Sequence, residues 1–118
     1  MKRILLLTAM FLGLVTITFA QSDYYIKKAQ NYQREAEYYQ KKAEGYRKEA
    51  TYYLKKAEGY QREAAYYTKR GDIDRAKTQT RYAEDAMDKY KTQLRYASKA
   101  DEKATMYLRW AADVLSKL

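Results

Sequence analysis

YYIKKAQNYQREAE (24–37), YYQKKAEGYRKEAT (38–51) and YYLKKAEGYQREAA (52–65) follow one another without a gap, and a fourth copy starts as YYTKR (66–70) before the pattern stops. Each unit is two heptads. Ala29, Ala36, Ala43, Ala50, Ala57 and Ala64 recur every seven residues, and Tyr25, Tyr32, Tyr39, Tyr46, Tyr53, Tyr60 and Tyr67 do the same. With Ala at heptad position a, this Tyr falls at d. An unbroken a/d repeat is the pattern of a left-handed coiled coil. Alanine at a lets two backbones approach closely. Tyrosine at d supplies flat apolar area while its hydroxyl stays near the edge, within reach of water or a partner. Such a seam favours close antiparallel packing of two helices.

The rule breaks at Lys69-Arg70-Gly71-Asp72-Ile73-Asp74. Gly71 suits the left-handed position that ends a helix, and Lys69 and Arg70 stand in the last turn, where cations meet the negative end of the helix dipole. Asp72 suits the cap of a following helix, with Asp74 in its first turn. A second heptad then runs to the C-terminus. One column is Ala76, Ala83, Tyr90, Ala97, Ala104 and Ala111; the other, followed through its aliphatic residues, is Ile73, Thr80, Met87, Leu94, Asp101, Leu108 and Leu115. The expected fold is all-α: one long antiparallel two-helix hairpin, with a helix over 23–70, a turn at 71–72 and a helix over 72–117. Each helix would be roughly 70 Å long at 1.5 Å per residue. The segment 64–90 resembles the helix–turn–helix of a single tetratricopeptide unit. It lacks that family's closing proline, and no period of about 34 residues follows, so the likeness implies turn chemistry alone.

Upstream of the repeat the chain changes character. Lys2 and Arg3 precede an uncharged apolar run, Ile4 to Phe19, which ends at the small Ala20. That order reads as a secretory signal peptide over 1–20, cleaved before Gln21. The run is shorter than the roughly 20 residues a spanning helix needs. The expectation is therefore an exported chain, periplasmic or secreted, with 21–118 as one helical domain and no membrane span. The sequence has no cysteine, so no disulfide supports the fold, and no proline, so nothing interrupts long helices.

The 118 residues carry a net charge of +9 and include 15 tyrosines but only two phenylalanines, Phe11 and Phe19, both in the leader. Histidine and cysteine are absent, and Ser22, Ser98 and Ser116 have no base beside them in the pattern, so nucleophilic catalysis has no support. No glycine-rich phosphate loop or metal-ligand spacing occurs. The expectation is a non-enzymatic protein with no cofactor and no metal.

Three surface rows remain. Position f is basic throughout the first helix: Lys27, Arg34, Lys41, Lys48, Lys55, Arg62 and Lys69. This row could track a polyanion. Glu37, Glu44 and Glu58, four residues before Lys41, Lys48 and Arg62, offer it helical ion pairs instead. Position g alternates Lys28, Glu35, Lys42, Glu49, Lys56, Glu63 and Arg70, a pattern suited to pairing with another helix. Position c alternates Tyr24, Tyr38, Tyr52 and Tyr66 with Asn31, Gly45 and Gly59, and the second helix adds Tyr82, Tyr96 and Trp110. Aromatic rows beside a seam mark an interface, and interior glycines suggest room for something bulky. The expected partner is a second copy of the chain or another helical protein. The alternative is an anionic envelope polymer or membrane surface. Export makes nucleic acid an unlikely partner.

Overall fold

A computed structural model describes residues 20–118. The expected signal peptide lies outside the described residues except for Ala20. Two helices account for nearly all of them: α1 is Ala20–Lys69 and α2 is Ile73–Leu115, and they form an antiparallel hairpin with no strand among the described residues. The bounds differ slightly from those expected. α1 starts three residues early, which places Asp23 inside its first turn. α2 begins one residue late because Asp72 is its cap, and it ends two residues early. Lys117 N–H and Leu118 N–H there close tighter turns onto the carbonyls of Val114 and Leu115.

The turn follows from three residues. Gly71 has φ +78°, the left-handed region. Its N–H donates to Thr68 C=O (3.1 Å) and Asp72 N–H donates to Tyr67 C=O (3.0 Å), the paired bonds that close a helix with a C-terminal glycine. Asp72 then starts α2: its Oδ1 accepts from Arg75 N–H at 3.2 Å, and its carboxylate also meets the Arg75 guanidinium at 3.4 Å. An added Cβ at Gly71 meets nothing within 4 Å, so Gly71→Ala should cost only backbone strain, about 1 kcal/mol. Asp72→Ala should cost a similar amount, about 1 kcal/mol, through the lost cap. Both are checked by urea unfolding followed by circular dichroism.

The hairpin divides into two packed units. The first ends in α1 at Lys41 and takes in Ala100–Leu118. Its centre is Ala29 against Ala111 and Val114, all buried, with Tyr25, Tyr32 and Leu115 packed around them. Ile26, Ala36, Ala100 and Ala104 are also buried. The second unit is Lys42–Lys99. Its buried residues are Ala43, Ala50 and Ala57 of α1 and Ala76, Ala83, Ala86 and Ala97 of α2. No large side chain among the described residues is fully buried. The tyrosines at d are all half-buried. A two-helix layer has no deeper interior to offer them, so the stability of each unit comes from close alanine contact plus partial burial of rings.

The seam of α1 lies where the repeat places it, except that Ala64 is only half-buried. In α2 the alanine column is correct but its companion is not. The residues facing α1 are Gln79, Ala86, Gln93, Ala100, Tyr107 and Val114, one position before the expected column. Ile73, Thr80 and Leu94 are exposed, and Met87, Asp101, Leu108 and Leu115 are half-buried at the flank. In the second unit the residues of the column facing α1 are small or flexible, Gln79, Ala86 and Gln93, whereas in the first unit Tyr107 and Val114 pack among the α1 tyrosines themselves. No helix among the described residues is long and apolar enough to cross a membrane.

Candidate functional site

The aromatic rows collect on the side of the seam flanked by the α1 tyrosines. Tyr24, Tyr38, Tyr52 and Tyr66 are 48–59 % exposed. Each meets the ring of the next residue edge-on: Tyr24 on Tyr25, Tyr38 on Tyr39, Tyr52 on Tyr53 and Tyr66 on Tyr67, with centroids 5.1–5.4 Å apart. A cation one turn later covers the ring. Lys28 Nζ lies 5.8 Å from the Tyr24 centroid, Lys56 Nζ 5.1 Å from Tyr52, and the Arg70 guanidinium 5.0 Å from Tyr66. These g-position cations were expected to select a partner helix; here they sit on tyrosines of their own helix at i,i+4 spacing. Hydrogen bonding to Tyr52, joined by the coulombic influence of Tyr52 and Tyr60, holds the Lys56 ammonium above the ordinary lysine pKa.

α2 answers with a row of its own, one residue before its alanine column. In the first unit, Lys117 lies over Tyr25 (5.9 Å), Trp110 packs on Tyr32 (5.8 Å) and Lys103 lies over Tyr39 (5.2 Å). Tyr107 stacks on Tyr39 at 9° and meets Trp110 edge-on. In the second unit, Tyr96 packs on Tyr46 (5.5 Å), Lys89 lies over Tyr53 (5.6 Å), Tyr82 packs on Tyr60 (5.4 Å) and Arg75 lies over Tyr67 (5.6 Å). The two members of each pair stand equally far in sequence from Gly71.

A rule emerges within each unit. Where position c of α1 carries a tyrosine, α2 supplies a cation to the adjoining seam ring. Where position c is Asn31, Gly45 or Gly59, α2 supplies Trp110, Tyr96 or Tyr82. The two kinds of ring serve alternate seam tyrosines: the α1 rings lie on Tyr25, Tyr39, Tyr53 and Tyr67 and the α2 rings on Tyr32, Tyr46 and Tyr60, where the small residue at c leaves the flank to the ring from α2. The glycines are not there to avoid backbone contact: a Cβ at Gly45 meets nothing within 4 Å, and one at Gly59 meets only Arg62 Nη2 at 3.9 Å. The 14-residue repeat of α1 is thus the imprint of a matching repeat in α2. Double-mutant cycles should resolve this pairing. Tyr60 with Tyr82 should couple by about 0.5–1.5 kcal/mol, and Tyr53 with Lys89 by about 0.5–1 kcal/mol. Tyr60 with Lys89 should couple less than either.

The basic row at f is exposed throughout. Lys27 pairs with Asp23 at 3.3 Å, and Arg34 Nη1 donates to Asn31 Oδ1 at 3.3 Å. Glu37, Glu44 and Glu58 do not come within ion-pair distance of Lys41, Lys48 and Arg62, contrary to expectation. Exposed pairs of this type gain too little to fix two long side chains. Among the described residues no cluster of acidic side chains is placed to hold a metal ion.

The chain and its helices match no family model, no curated protein and no solved structure. The all-α hairpin and its aromatic–cation flank therefore stand on their own geometry.

Proposed function

We propose that the chain is an exported interaction protein, not an enzyme, which works through its helical surface and associates with copies of itself. The observation that carries this reading is the α1 row of Tyr24, Tyr38, Tyr52 and Tyr66, about half exposed and each held by a neighbouring ring. Tyr82, Tyr96 and Trp110 add exposed aromatic area from α2. Rings already fixed in place lose little freedom when a partner covers them, which favours association. A heptad surface is also what another helix packs on, as in a coiled-coil bundle. Light scattering of residues 21–118 at low and high salt tests the proposal. An oligomer that persists at high salt is expected, because burial of aromatic area is weakly screened. A monomer at high micromolar concentration overturns it.

A second reading is favoured by the f row. With Lys41, Lys48 and Arg62 lacking ion pairs to the preceding glutamates, this face presents more free charge than the sequence implied. A cationic surface for an anionic envelope polymer or membrane surface would bind with steep salt dependence, and replacing Lys41, Lys48 and Lys55 with Gln would flatten that dependence.

A further inference from the structure

On the aromatic flank of the second unit, Tyr53, Lys56 and Tyr60 of α1 and Tyr82, Asp85 and Lys89 of α2 enclose an open notch of 160 Å³. Its wall is aromatic: Tyr60 and Tyr82 stand with centroids 5.4 Å apart, tilted at 57°, and Tyr82 keeps 46 % of its surface exposed. Lys89 Nζ lies over Tyr53 at 5.6 Å and Lys56 Nζ over Tyr52 at 5.1 Å, so an ammonium group stands on each side of the notch. Asp85 contributes one carboxylate at the rim. The recess is polar and half-open, with ring faces, two cations and one anion.

We infer that this notch is a binding subsite for an acidic sugar ring of an extended polysaccharide, a ligand that would compete with a second copy of the chain for the exposed rings. Three features select that ligand class. A sugar ring presents a flat C–H face that packs on an aromatic surface, and the Tyr82 ring offers one. Its hydroxyls need both donors and acceptors, which the tyrosine hydroxyls and Asp85 supply together. Its carboxylate needs a cation within reach, and Lys56 and Lys89 both line the notch.

The spacing beyond the notch selects a polymer. Within this unit, exposed rings come in the order Tyr96, Tyr52, Tyr82 and Tyr66, alternating between helices at one heptad per step. A heptad rises about 10 Å along a helix, close to one disaccharide of an extended β-linked glycan. Stacked bases of a single strand lie several-fold closer together than this, so a nucleic acid would leave most rings unused. Three of these four rings have a cation beside them: Lys56 with Tyr52, Arg70 with Tyr66, and Lys89 beside Tyr82.

Calorimetric titration of the full chain with three probes tests the inference: a hexamer of β-1,4-linked mannuronic acid, the neutral β-1,4-glucose hexamer, and an oligo-dT of equal charge. The uronate hexamer should bind more tightly than the other two. Tyr82→Ala should weaken it about tenfold or more, the loss of one stacked ring. Tyr82→Leu, which keeps apolar packing but lacks a flat face, should show a similar loss with the helix content unchanged. Lys56→Gln with Lys89→Gln should abolish the preference over the neutral hexamer, whereas Lys41→Gln with Lys48→Gln on the f row should change affinity less than about twofold. Equal binding of the neutral hexamer, equal or tighter binding of oligo-dT, or no response to the Tyr82 variants would overturn the assignment, as would absence of uronate binding.

Discussion

Ala50→Glu is expected to destabilise the hairpin by about 3 kcal/mol or more, while Thr51→Glu, one residue away, should change stability by under about 0.5 kcal/mol. Ala50 is 1 % exposed and belongs to the column that packs α1 on α2; Thr51 is exposed, and its hydroxyl donates to the carbonyl of Arg47. Helix propensity cannot produce the contrast, since glutamate forms helix better than threonine and nearly as well as alanine. The difference lies in where the carboxylate goes. At position 51 it stays in water. At position 50 it must either lose hydration between two close backbones or push them apart. Pushing them apart also removes contact from Ala43 and Ala57, the neighbours above and below in the same column, both at most 1 % exposed. Chemical denaturation of both variants, followed by circular dichroism, measures the two numbers directly. Equal losses at the two positions would mean that the alanine column is not the packed face.

The hairpin is legible in the sequence because its cause is repeated. Each heptad of α1 carries the same small a residue and the same large d residue, and the single break coincides with Gly71, the one described residue with a left-handed backbone. The cap is legible for a similar reason: the chemistry of Asp72 is local and does not depend on what packs elsewhere. The α2 column is harder to read. Hydrophobicity points to Ile73, Leu94 and Leu108, whereas the residues that face α1 include Ala86, Ala100 and two glutamines. Which column is buried depends on what stands opposite, as Tyr107 against Tyr32 and Tyr39 shows, and that is a property of the pair of helices. The ion pairs expected at f fail for a different reason, because exposed lysine and glutamate chains gain little from any one geometry. The cation–aromatic alternation lay in plain view. Arg75, Lys89, Lys103 and Lys117 recur every 14 residues, interleaved with Tyr82, Tyr96 and Trp110. Read with Gly71 as the centre of a mirror, they fall opposite Tyr67, Tyr53, Tyr39 and Tyr25. Charge at a flanking position, taken alone, reads as solvation, and only the register turns it into a ring contact.

Replacing Tyr38, Tyr52 and Tyr66 together with Gln should leave the hairpin helical and weaken self-association about a thousandfold or more. The estimate starts from full burial of a tyrosine at roughly 1.5–3 kcal/mol. These rings are 51 %, 51 % and 48 % exposed, so about half of that, near 1 kcal/mol each, is still available to a partner. A symmetric dimer would cover three such rings from each copy. Losing all of them removes several kcal/mol from association, and each 1.4 kcal/mol is tenfold in affinity. Association also costs translational and rotational freedom, so the proposed dimer would have little surplus to lose. The hairpin itself loses the edge-on contacts to Tyr39, Tyr53 and Tyr67, worth about 0.5–1.5 kcal/mol apiece at most and less at this exposure, and exposed cation contacts such as Lys56 on Tyr52 and Arg70 on Tyr66, worth about 0.5–1 kcal/mol each. Its seam of buried alanines is untouched. Sedimentation with circular dichroism on the same samples separates the two effects: a helical monomer is the expected result for the triple variant. An unchanged oligomer would place the interface elsewhere on the surface. Loss of helix in step with loss of mass would show that the row stabilises the hairpin's own fold and is not a docking face.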